Sequence, residues 1–255
     1  MLSPAVDLDK EQSWPSVIIA ELAPLLPSIL RERQATIAFE LSGDRWHNPA
    51  PPTPSTKAAY GIINHEMTDR RIKIFHATRL LDFDSVRHEG LRLLDFDHQI
   101  NTMRTALLAA GQFASVGEID ALIATVNTND DFFRGRDGQV WATPLRRLLH
   151  DGGCDVFFDH WGGEAIQRLA TMASRQLEIG IRSLGTPAVV TASIPAFGCC
   201  TFSQWRLAPT MVGLMLERAG IKEKSWEAWD VLVKQVIPAE WIESVLPKDD
   251  VTLVG

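Results

Sequence analysis

The feature that most constrains this chain is the spacing of its strand-like runs. Arg71–Thr78 (R-I-K-I-F-H-A-T) alternates and is rich in isoleucine, Gln139–Ala142 is a short apolar run, Ala188–Ile194 (A-V-V-T-A-S-I) is a clear strand pattern, and Trp229–Val236 (W-D-V-L-V-K-Q-V) is another. Leu91, Leu93 and Leu94 read as a further short strand or turn. Helix-length stretches of unequal size lie between them. Strict alternation of strand and helix would imply a doubly wound parallel sheet; this scatter implies an α+β fold instead.

The helical stretches carry ordinary punctuation. Ser16 is placed to cap a helix through Ile18, Ile19, Leu22 and Leu25, and Pro27 interrupts that run. A short helix from Asp84 or Ser85 ends near Gly90, a natural C′ residue. Residues 97–111, 116–126, Glu164–Leu177 and Ala208–Ala219 read as helices, and Ala239–Val245 as a last short turn. Asn48–Ser55 (N-P-A-P-P-T-P-S) has four prolines in eight residues, a stiff connector. It divides a helical N-terminal segment, residues 1–56, from a larger domain, residues 57–255.

The balance of Lys plus Arg (25) against Asp plus Glu (32) gives a formal charge of −7, which disfavours non-specific binding to nucleic acid. A local basic group of Arg134, Arg136, Arg146 and Arg147 remains. Three cysteines, two of them adjacent (Cys199 and Cys200), make no disulfide framework and suit a reducing compartment. His150, Cys154 and His160 match no zinc spacing, so no metal is expected. No signal-peptide pattern and no apolar run of about 18 residues occurs, so a soluble, cytoplasmic protein away from membranes is expected.

Three segments, in order, then carry a resemblance. The first is I-F-H-A-T-R at 74–79, followed by a helix and Gly90-Leu91; the second is Q-V-W-A-T-P at 139–144; the third is W-D-V-L-V-K-Q-V-I-P-A-E-W-I at 229–242. Together they resemble the ADP-ribosyltransferase superfamily, of the bacterial toxin or defence type, over roughly residues 71–246, and the resemblance implies a split antiparallel or mixed sheet with surrounding helices. The resemblance implies an enzyme that takes NAD as substrate, releases nicotinamide and transfers ADP-ribose to a macromolecular acceptor, a protein rather than a nucleic acid given the acidic charge. NAD glycohydrolase activity and a catalytically degenerate binding module are the alternatives. The N-terminal segment would be a cap or a surface for a partner or antitoxin protein.

Site residues follow from the same resemblance. His76, Ala77 and Thr78 would contact the ribose or the nicotinamide amide, and Arg79 the pyrophosphate, where a guanidinium fork suits oxygen acceptors. Trp141 would stack on nicotinamide, with Thr143 bonding nearby. Cleaving the glycosidic bond builds positive charge on the sugar, so a carboxylate must face it. The superfamily pattern puts Glu at the start of the last strand, where this chain has Asp230. Glu227 is three residues earlier, and Glu164 follows Trp161-Gly162-Gly163 at a helix start, where the dipole favours an anion and the glycines would admit a ligand. The catalytic set is therefore His76 with Glu164 or Asp230. Each of these residues also has a plain structural reading: a core histidine, a strand-forming threonine, a packed tryptophan, a helix-capping Thr143-Pro144.

Overall fold

The isoleucine-rich run folds as expected, because alternate residues of an extended chain face one side. The computed structural model describes residues 4–40, 53–128, 133, 135–150, 152–198, 200–202, 207–221 and 230–251. In chain order these form α1 (Ser16–Leu22), α2 (Leu26–Glu40), α3 (Pro54–Met67), β1 (Arg71–Leu80), α4 (Phe83–Glu89), α5 (Phe96–Ala109) and α6 (Val116–Ile123). There follow β2 (Val140–Ala142), α7 (Gly152–Asp159), α8 (Gly163–Ala173), α9 (Arg175–Ser183) and β3 (Thr186–Pro195). The last are β4 (Cys200–Phe202), α10 (Leu207–Arg218), β5 (Val231–Val233) and β6 (Ile242–Pro247).

The chain divides into two units: Met1–Ile72 with Pro195–Trp229, and Lys73–Ile194 with Asp230–Gly255. This differs from a boundary after residue 56. Thr53 caps α3 through its hydroxyl, Pro54 takes the first turn where no backbone donor is needed, and the helix buries Ala59, Ile63 and Met67 against α1 and α10. The proline run thus leads into a helix of the first unit. In that unit Val6 N–H also donates to Arg71 O at 2.8 Å, and Arg218 lies over the Trp14 ring while pairing with Glu11. Ser16 is the first helical residue of α1, and Pro15 holds the cap position instead.

The second unit is mixed helix and sheet, as expected for an α+β protein, with two small sheets. One has the order β1-β3-β6, and β3 pairs antiparallel with β6, Val190 opposite Val245. In the other, β2 pairs antiparallel with β5, Trp141 opposite Leu232. A reciprocal pair of backbone bonds between Phe75 and Thr143, 2.8 and 2.9 Å, ties β1 to β2. The strand expected over 229–236 is confined to Val231–Val233, and Leu91–Leu94 is no strand: Leu91 makes a single bridge to Ile237. That bridge needs Gly90, whose φ is +81° and whose added Cβ would lie 2.0 Å from Ile237 O. The expected closing turn over 239–245 is instead a 3₁₀ turn, Ala239–Trp241, followed by β6.

A helical layer completes this unit. α5, α6, α8 and α9 bury Phe96, Met103, Leu107, Ile119, Ile166, Leu169 and Ile181 in one cluster. The helix expected over 164–177 is broken at Ser174, whose hydroxyl accepts from Leu177 N and starts α9. Among the described residues no helix is long and apolar enough to cross a membrane.

Candidate functional site

A cleft of about 350 Å³ lies in the second unit, a size within the range of small-ligand sites. β1 supplies one wall through His76–Leu80, and Gln139–Trp141 adds the edge of β2. The first half of α5 and the segment Trp161–Ala165 close the other side. His76, Ala77, Thr78, Arg79, Trp141 and Glu164 all line it. Thr143 and Asp230 do not; they line a small recess of about 40 Å³ that shares Ala77, Trp141 and Phe157 with the cleft. Strand alternation explains part of this grouping, since β1 carries several side chains past one ligand-sized space.

His76 is held by its ring. Its Nδ1 lies 2.6 Å from Trp141 O. A carbonyl only accepts, so Nδ1 carries the proton and Nε2 keeps its lone pair. Burial pushes the imidazole pKa down, and the bond to Trp141 only partly offsets this. His76 is therefore neutral at pH 7, with Nε2 an acceptor.

Arg79, expected at the pyrophosphate, lines the cleft with its guanidinium bonded to the main chain. Its Nε donates to Leu184 O at 2.7 Å, one terminal nitrogen to Phe158 O at 2.8 Å and the other to Gly185 O at 2.7 Å. These bonds tie the ends of α7 and α9 to β1, so the guanidinium is part of the wall. Thr143 is likewise structural. It is buried, its hydroxyl closes a turn with Leu145 N, and its backbone makes the bridge to Phe75.

The carboxylates meet a third residue. Glu164, in the first turn of α8, is ion-paired with Arg136, whose guanidinium carbon sits 4.0 Å from the centre of the Trp141 ring. Asp230, half-buried just before β5, has its carboxyl pushed up by burial; Arg136 pulls the other way and the charge of Glu164 adds to the rise. One cation therefore serves both acids. In the sequence Arg136 groups only with neighbouring arginines, and nothing in the local pattern there tells a stacked guanidinium from a solvated one. Arg146 instead lies over Phe75 at 5.0 Å. Arg134 and Glu227 lie outside the described residues, as do Cys199, Trp205, Trp226 and Trp229.

The Gly162-Gly163 pair has a packing origin. Both have positive φ, +80° and +67°. A Cβ on Gly162 would lie 2.6 Å from Ile166 Cγ1 and 2.8 Å from Gln99 Oε1, and one on Gly163 would lie 3.1 Å from the Phe157 ring. The glycines let α8 start tight against α5 and α7, and both line the cleft. Gln99, absent from the sequence-derived site, thereby enters the cleft wall.

The second unit thus presents a class of site defined by a neutral imidazole, an indole, an arginine–glutamate ion pair and a second acid within reach of the same charge, in and beside one cleft. Comparison with protein-family models, curated proteins and solved structures finds no match for this chain.

Proposed function

We propose that this chain is a mono-ADP-ribosyltransferase of the toxin or defence type, which cleaves the nicotinamide–ribose bond of NAD and passes ADP-ribose to a macromolecular acceptor. The observation that carries the reading is the convergence of His76, Trp141 and Glu164, from three separate chain segments, on one cleft. Glu164 is the carboxylate assigned to the sugar, because it lines the cleft whereas Asp230 lines the recess behind Trp141. In the reaction the ribose C1′–N bond breaks and its electron pair leaves with nicotinamide. The positive charge passes to the sugar, where the Glu164 anion stabilises it. The acceptor's nucleophile then bonds to C1′ and loses its proton. His76 Nε2 accepts from a ribose hydroxyl, and Thr78 extends the same wall. The acidic net charge favours a protein acceptor, and the reducing compartment implied by the cysteines favours the cytoplasm.

The test is nicotinamide release, together with transfer of label from adenylate-labelled NAD in a lysate. Glu164→Gln should lower release roughly 10²–10³-fold without lowering the melting temperature. Release unchanged in that variant removes the assignment, and free ADP-ribose without labelled acceptor favours hydrolysis. The ion pair between Glu164 and Arg136 favours a second reading, a module that binds NAD without turnover. Calorimetric binding without nicotinamide release would select it.

A further inference from the structure

Arg136 lines the cleft beside Trp141 and Glu164. Its guanidinium is flat, delocalised and positive. It stacks 4.0 Å from the Trp141 ring centre, within the roughly 6 Å of a cation–π contact. Its edge is paired with the Glu164 carboxylate, and Asp230 feels the same charge from the recess. Both members of the ion pair are partly exposed, Arg136 by 23% and Glu164 by 31%, so the contact is reachable from the cleft. An aromatic face, a carboxylate at its edge and a second acid nearby are what a flat organic cation needs.

We propose that the Trp141–Glu164 corner is a binding site for a planar aromatic cation, an N-alkylated pyridinium, and that Arg136 fills it in the free protein as an internal stand-in which such a ligand displaces. The exchange replaces one cation with another, so Glu164 is never left half-buried without a partner. The released guanidinium is then available to an anionic group on the same ligand, where its fork matches phosphate oxygens. A neutral ring of the same shape lacks this compensation and is rejected. The proposal deepens the NAD reading, because the nicotinamide ring of NAD is an N-ribosyl pyridinium, and it predicts preference for the oxidised over the reduced dinucleotide. It requires binding alone, so it is separable from turnover.

The probe is 1-methylnicotinamide, with uncharged nicotinamide as its neutral counterpart, titrated calorimetrically into the full chain at low salt. Absorption from indole-to-pyridinium charge transfer reports the stacking. Removing the internal competitor with Arg136→Gln should tighten 1-methylnicotinamide binding about tenfold and leave nicotinamide unchanged. Adding Glu164→Gln should reverse the gain, and Trp141→Leu should abolish the charge-transfer band. Equal or weaker binding of the cation by Arg136→Gln overturns the proposal, as does equal tightening for the neutral ring. Should circular dichroism show Arg136→Gln unfolded, Arg136→Lys serves. Its compact ammonium stacks less well, so a smaller gain is expected, and no gain over wild type overturns the proposal. Cation binding without nicotinamide release from NAD would defeat the activity assigned above and leave this site standing. Release from NAD with no cation preference would do the reverse.

Discussion

Two of the arginines that line the cleft, Arg79 and Arg136, have opposite surroundings. Arg79 gives hydrogen bonds to three backbone carbonyls, which are fixed in space and cannot change their charge. Arg136 meets a carboxylate and an indole, side-chain groups that rotate. A guanidinium bound to main-chain oxygens belongs to the scaffold. One bound to side chains can exchange partners at little cost, since each partner has an alternative in solvent or ligand. Residue type and cleft position therefore do not identify a ligand-binding arginine; the identity of its present acceptors does.

The contrast gives a stability test. Arg79→Ala leaves three carbonyls without their charged donor, and hydrogen bonds to charged groups contribute about 1.5–3 kcal/mol each, short of additivity. A loss of about 3 kcal/mol is expected, a fall in melting temperature of roughly 6–12 °C for a chain of this size. Arg136→Gln should cost less than about 1 kcal/mol, as for other partly exposed ion pairs. Similar losses in thermal melts of the two variants would erase the distinction. Next in size, Gly162→Ala forces a left-handed φ on alanine and drives its Cβ against Ile166 and Gln99, for an expected loss of about 2 kcal/mol. Gly111→Ala, with φ +66° and open space around it, should lose only about 1 kcal/mol. Equal losses would show that the glycine pair is not there for packing.

Much of this frame is legible in the sequence where the signal is local. The alternation at 71–78, the stop at Gly90 and the strand at 188–194 each depend on neighbours a few residues away, and each appears within a few residues of its expected bounds. β6 was not legible because only Val245 of its six residues is buried, so alternation leaves almost no trace. Residues 195–229 join the N-terminal unit through contacts between α10 and α3, which sequence pattern does not record. The candidate site divides the same way. His76 and Trp141 stand out on their strands, and a resemblance aligned them. The roles of Arg79 and Arg136 follow from partners up to 106 residues distant, as Arg79 to Gly185 shows.

The smallest expected effect comes from Asp230, and it bears on whether Arg136 belongs to the scaffold. Burial raises the folded-state pKa of this carboxyl above its ordinary value of 3.8, in spite of Arg136. Below pH 3.8 the group is neutral in both folded and unfolded chains and makes no difference to stability through ionisation. As pH rises the unfolded chain ionises first, the folded one resists, and stability falls until the folded group also ionises. Asp230→Asn removes that loss. Its stability relative to wild type should therefore climb as pH rises from 3.8 and level off once the native carboxyl has ionised. Adding Arg136→Gln removes the cation that eases this ionisation, so the gain from Asp230→Asn should be larger when the arginine is absent. Urea unfolding at a series of pH values measures both. An unchanged gain would mean that Arg136 does not feel Asp230, and that only Glu164 and Trp141 hold the guanidinium in place.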